Sequence, residues 1–163
     1  MLMVSQLVGF AGGARAEALV DRTSGTNIGD MTDNGGVAAS FDGVLNQTAG
    51  NSSSKAASTS SYVGKTWSGA KVFSKAEFSP SQSGYYGGAG NVTLNVRGKN
   101  GAAPSSGSDG TLLGTTGAFT DETSGIRTVT STDTVTSWDH WVFEVTHAIE
   151  QSILSEVTMY EMI

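Results

Sequence analysis

Val92-Thr93-Leu94-Asn95-Val96-Arg97 alternates apolar and polar residues without a break. That is the pattern of a strand with one face in a core and the other in solvent. The same period recurs toward the end of the chain. Trp141, Phe143 and Val145 alternate with Val142, Glu144 and Thr146, and Val157 and Met159 alternate with Thr158 and Tyr160. Upstream, Val72 to Phe78 is apolar at both ends, with Lys75 and Glu77 pointing away. Glycine-rich turn clusters separate these runs, at Ser79 to Gly90, Gly98 to Gly110 and Asp121 to Gly125. Residues 43 to 61, which include the polar run from Asn51 to Ser61, show no hydrophobic period and read as loop. Helical periodicity extends to single turns at most, at residues 147–155 and 14–20. Short strands with regular glycine turns predict an antiparallel β-sandwich, an all-β fold.

Composition agrees. The 163 residues suffice for one domain with a single core, and 22 Gly, 22 Ser and 19 Thr take the place of the charged and straight-chain residues that build helical bundles. With Lys+Arg 9 against Asp+Glu 15 the net charge is −6. No Lys or Arg follows Arg127, whereas Asp133, Asp139, Glu144, Glu150, Glu156 and Glu161 do. Such a surface repels a phosphate backbone, which argues against nucleic acid as a partner. The absence of cysteine excludes disulfides, thiolate metal sites and cysteine nucleophiles. No apolar run approaches the roughly 18 residues of a spanning helix, so no membrane partner is expected.

The first residues divide from the rest. Met1 to Phe10 is apolar and short, a glycine pair follows at Gly12-Gly13, and Ala14-Arg15-Ala16 has the small-x-small form of a signal-peptidase site. Two readings follow. One is an N-terminal arm over residues 1–24, docking onto a neighbouring subunit's sheet or groove ahead of a domain at 25–163. The other is a cleaved signal that leaves Glu17 first.

Seven further segments, taken in order, resemble the discoidin-like family, also called galactose-binding-like or coagulation factor 5/8 type C domains. Phe41-Asp42-Gly43 with Thr48 is similar to its "FDG…T" opening, and Tyr62 to Trp67 to its first full strand. Lys71 to Phe78, Val92 to Gly101 and Thr111 to Thr115 are similar to its next three conserved pieces. Trp138 to Phe143 and Ile153 to Tyr160 stand where the family has its closing strands. The resemblance covers about residues 38 to 162 and implies an eight-stranded jelly roll whose family role is binding, most often of carbohydrate. Two departures bear on sugar specificity: Asp139 or Val142 stands where the family has Arg, and Ala102 to Asp109 is an insertion. Gly25 to Gly36 resembles the lead-in of discoidin-like proteins from tailed-bacteriophage virions, which implies a head or tail component that contacts other virion proteins and copies of itself. A secreted bacterial carbohydrate-binding module is the alternative.

Candidate site residues follow from both lines. Tyr85 and Tyr86, between glycines, cannot both be buried easily, and serve either a ligand or a subunit interface. Trp67 and Trp138 can join them as sugar platforms, although Trp67, Trp141, Phe73, Phe78 and Phe143 also suit a core. The resemblance implies a structural calcium ion held by Asp42, Thr48 and Glu156, with Asn46 as a further donor. The other reading has Asp42 capping the Gly43 turn and Glu156 solvated. No nucleophile motif, phosphate loop or paired metal histidines accompany His140 or His147, so a binding protein is expected rather than an enzyme.

Overall fold

A computed structural model describes residues 15–48, 50–56, 58–87, 90–121, 125–147 and 151–163. Among the described residues twelve strands follow one another: β1 (Glu17–Leu19), β2 (Thr26–Gly29), β3 (Asp33–Asn34), β4 (Ser53–Ala56), β5 (Ser60–Ser79), β6 (Asn91–Lys99), β7 (Thr111–Thr115), β8 (Phe119–Thr120), β9 (Arg127–Thr130), β10 (Ser137–His147), β11 (Gln151–Leu154) and β12 (Glu156–Met162). A 3-10 turn, Val37–Phe41, precedes β4. All strand pairings are antiparallel.

β5 organises the sandwich. Its first half pairs with β2 and β10, and its second half with β12 and β9. Between the halves Ser68, Gly69 and Ala70 are exposed, where the strand passes from one layer to the other. One layer therefore runs β2-β5-β10-β6-β7 and the other β1-β12-β5-β9, a jelly-roll sandwich. The alternation in β6 places Val92, Leu94 and Val96 in the core. From the facing strands come Phe73, Phe78, Trp141, Phe143, Val157 and Met159. Trp141 sits at the centre, with the Trp67 ring 4.5 Å and the Phe73 ring 5.1 Å away, both edge-on.

Three expectations are corrected here. The stretch expected as loop over residues 43–61 contains β4, which forms a small sheet with β11 and β3. Ser52, Ser53 and Ser54 are fully buried there, and hydroxyl pairing replaces apolar packing. Ser53 Oγ donates to the Gly36 carbonyl at 2.6 Å and accepts from Ser40 Oγ at 2.7 Å. Ser52 Oγ meets Ser155 Oγ at 3.1 Å. In the second place, part of the 147–155 helical turn is the strand β11. The third concerns the arm: β1 lies inside the segment 1–24, yet it pairs with β12, and Val20 is in the core. The chain thus joins the sandwich by Glu17. Residues 1–14 of the expected arm lie outside the described residues.

Candidate functional site

The sandwich has two ends, and the expected aromatic residues divide between them. Trp138 opens β10 opposite Lys71, and His147 closes it opposite Val92. The nine residue steps between them span roughly 30 Å. Ala16 and Ile163 exchange backbone hydrogen bonds at the Trp138 end. Gly87 lies against His147 at the far end, so the Tyr85-Tyr86 loop is there. The four candidates therefore do not form one site.

At the Trp138 end Trp67 is in the core and Trp138 packs against it. Trp67 is 7% exposed, its ring against Trp141, and its Nε1 donates to Ser24 Oγ at 3.4 Å. Trp138 is half-buried with its ring laid on Gly98, where any Cβ would collide with the indole. Its Nε1 is buried and finds no acceptor among the described residues. His140, beside it, is buried, with Nε2 2.9 Å from the Gly101 carbonyl and Nδ1 2.7 Å from Thr66 Oγ1. The carbonyl assigns the proton to Nε2 and leaves Nδ1 to accept from Thr66, so both nitrogens are engaged.

At the far end Tyr86 is fully buried, which corrects its expected exposure. Its hydroxyl donates to the Phe78 carbonyl at 2.7 Å, with the Gly125 carbonyl 3.1 Å away. Burial pushes its phenol well above the usual tyrosine value. Its backbone N–H donates to both carboxylate oxygens of Asp121, at 2.9 and 3.1 Å. The Asp121 carboxylate also faces His147 Nε2 at 3.5 Å, with both side chains inaccessible. Tyr85 alone of the pair stays half-exposed. Its loop is tied to the Asp42 loop, because the Gln82 N–H donates to the Gln47 carbonyl at 2.7 Å.

The Asp42 loop lies at the same end. Gly43 has φ +87°, a backbone conformation that favours glycine, and the Arg22 guanidinium lies over it. Asp42 Oδ1 accepts the Val44 N–H at 2.8 Å, an Asx turn. Both of its oxygens lie 3.0 Å from Gln47 Nε2. Three carbonyls approach the same nitrogen: Ala39 and Val44 at 3.3 Å, and Ser155 at 3.5 Å. A shallow open depression of about 340 Å³ adjoins this cluster, lined by Gly35, Ala38, Ala39, Asp42, Gln47 and Asn51. Exposed Val44 and Leu45 form the loop tip. Sequence reasoning missed Gln47 and Asn51; the only signal for them was polarity just after the "FDG" motif.

The three expected calcium ligands come together only in part. Asp42 belongs to the oxygen cluster. The Thr48 side chain, expected to offer its hydroxyl, is exposed, and the Thr48 carbonyl accepts from the N–H groups of Asn51 and Ser52 and from Ser52 Oγ. Glu156 is buried beside the cluster, where its Oε2 accepts the Gly43 N–H at 2.9 Å. Asn46 Oδ1 accepts from Ser79 Oγ instead. With an amide nitrogen at the centre of the oxygens, the residues as arranged do not fit a metal ion. Among the described residues no group of three or more His, Cys, Asp or Glu side chains converges on a point.

Burial pushes the Glu156 carboxyl from 4.5 up to about 7, with Asp42 adding to the rise and the Gly43 N–H and the Arg22 guanidinium opposing it. The folded chain then holds this proton more tightly than the unfolded chain. Stability falls as pH rises from about 4.5 through about 7. Glu156→Gln is expected to flatten that part of a urea-denaturation pH profile and to gain about 1–3 kcal/mol at pH 8. A parent profile that rises over the same interval contradicts the assignment.

No family model matches the chain, and no curated protein does. Solved structures do. The family 32 carbohydrate-binding module of Clostridium perfringens NanJ, in complex with galactose, is similar over 90% of this chain and 100% of its own, with a TM-score of 0.59 and 16% identity. A fucolectin from the serum of striped bass, Morone saxatilis, matches 88% of this chain and 49% of its own, with a TM-score of 0.64 and 10% identity. An F5/8 type C domain from Bacteroides fragilis matches 90% of this chain and 97% of its own, with a TM-score of 0.61 and 11% identity. At these identities the likeness concerns the fold. The chain has the discoidin-like, galactose-binding-like jelly-roll fold.

Proposed function

We propose that this jelly roll is a non-catalytic carbohydrate-binding module whose sugar site is the loop end carrying Asp42, Asn51 and Tyr85. The observation that supports it is the open depression lined by Ala38 and Ala39 with Asp42, Gln47 and Asn51 around it. Small apolar residues accept the C–H face of a pyranose, and the Asp42 carboxylate and the exposed Asn51 amide accept from and donate to its hydroxyls. The half-exposed Tyr85 stands on the adjoining loop, which is bonded to the Asp42 loop. A net charge of −6 favours neutral sugars over sialylated or uronic ones. The galactose complex of the clostridial module makes a neutral hexose the first ligand to try.

The test is a glycan array of neutral oligosaccharides. Wild type is expected to give a saturable signal, which Tyr85→Ala reduces at least about tenfold while Tm stays within about 2 °C. No signal on any neutral glycan, or loss only in variants that unfold, rejects the reading.

For its setting we propose the virion of a tailed phage, as a head or tail component present in many copies, where multivalency raises weak sugar contacts. Its support is the resemblance of Gly25 to Gly36. Export as a bacterial secreted module is the second reading. It draws on β1 starting at Glu17, the residue that a cut after Ala16 leaves first. A mature mass starting at Glu17 decides for export; a retained N-terminus in purified particles decides for the virion.

A further inference from the structure

The oxygen cluster around Gln47 has more acceptors than its donor can serve. A side-chain amide carries two N–H protons, whereas five oxygens lie within 3.0–3.5 Å of Nε2. They come from the 3-10 turn (Ala39), the loop (Asp42 and Val44) and the connection before β12 (Ser155). Oxygen-only surroundings of this kind, with a carboxylate among them, are what a hard divalent cation selects. Here they close around nitrogen. The backbone of Gln47 fixes that arrangement from both sides, its N–H donating to Ser155 Oγ at 2.9 Å and its carbonyl accepting the Gln82 N–H at 2.7 Å.

We propose that the amide of Gln47 takes the place of a cation, so that this loop end holds together without metal, and that shortening residue 47 uncovers a divalent-cation site. The amide's partial positive charge joins the turn, the loop and the β11–β12 connection, as a bound ion would do with full charge. Thermal melts of the full chain test this, in EDTA and in millimolar CaCl₂, together with Tb³⁺ luminescence as a probe of ion binding. Wild type is expected to melt within about 1 °C in both buffers and to show no sensitised terbium signal. Gln47→Ala is expected to melt about 4–10 °C lower in EDTA and to recover at least half of that in calcium, with a terbium signal appearing. A second variant, Gln47→Glu, keeps the side-chain length but places a carboxylate among the oxygens, and its melt is expected to depend on calcium more steeply still.

A wild-type melt that falls in EDTA or rises with calcium overturns the proposal, and this arm stands even if neither variant folds. A Gln47→Ala protein as stable as wild type in EDTA also overturns it. So does one that loses stability without any recovery in calcium, because Gln47 is then an ordinary hydrogen-bond donor.

Discussion

Asp121→Ala is expected to destabilise the fold by about 3–5 kcal/mol, because two buried groups, the Tyr86 N–H and the His147 imidazole, lose the side chain they face. The carboxylate is inaccessible, receives the Tyr86 N–H through both oxygens and faces His147. Alanine leaves the Tyr86 N–H in a dry site without its acceptor and removes the carboxylate from beside the imidazole. At roughly 2–4 °C per kcal/mol for a chain of this size, Tm drops by about 6–20 °C. Asp121→Asn retains an acceptor oxygen for Tyr86 and is expected to lose clearly less. The Tyr85 loop is anchored through the same contacts, so sugar binding should weaken in Asp121→Ala even below its melting point. A thermal melt within about 2 °C of wild type would show that Tyr86 is not held in the core as described.

Trp67→Ala carries the second large effect. The indole is almost fully buried, edge-on to Trp141 at 4.5 Å, with Gly25 directly beneath it. Large aromatic-to-alanine changes in a core cost about 3–5 kcal/mol through lost transfer energy and a residual cavity. Urea denaturation is expected to show that loss as a lower midpoint with an unchanged slope. Glycan binding measured well below the midpoint is expected to persist. The opposite pattern, full stability with lost binding, would restore Trp67 as a sugar platform.

Trp67 was already readable as a core residue, whereas the burial of Asp121 and Tyr86 was disguised. Strict alternation made β6 readable, because one face of that strand meets the core and the other does not. The two halves of β5 were readable as Tyr62 to Trp67 and Val72 to Phe78. Their union in one strand was hidden by Ser68, Gly69 and Ala70, which carry no strand signal. β4 was illegible because its buried face is serine, satisfied by partners at Ser40 and Gly36 that no local pattern announces. Tyr85 and Tyr86 differ through Asp121, thirty-five residues beyond Tyr86. Local context cannot tell adjacent tyrosines apart when the deciding group is that distant. The "FDG" loop was located by resemblance, but the reach of Gln47 into a five-oxygen cluster depends on Ala39 and Ser155, which meet it only in the folded chain.

The proposed sugar site lies at the loop end remote from Trp138, and amide chemical-shift mapping tests that placement. Titrating the ¹⁵N-labelled full chain with galactose, then with the best array ligand, is predicted to move amides of residues 35–51 and 81–87. Those of residues 99–110 and 134–140 are predicted to stay in place. Saturable shifts confined to the Trp138 end, or none anywhere with any neutral sugar, would contradict it.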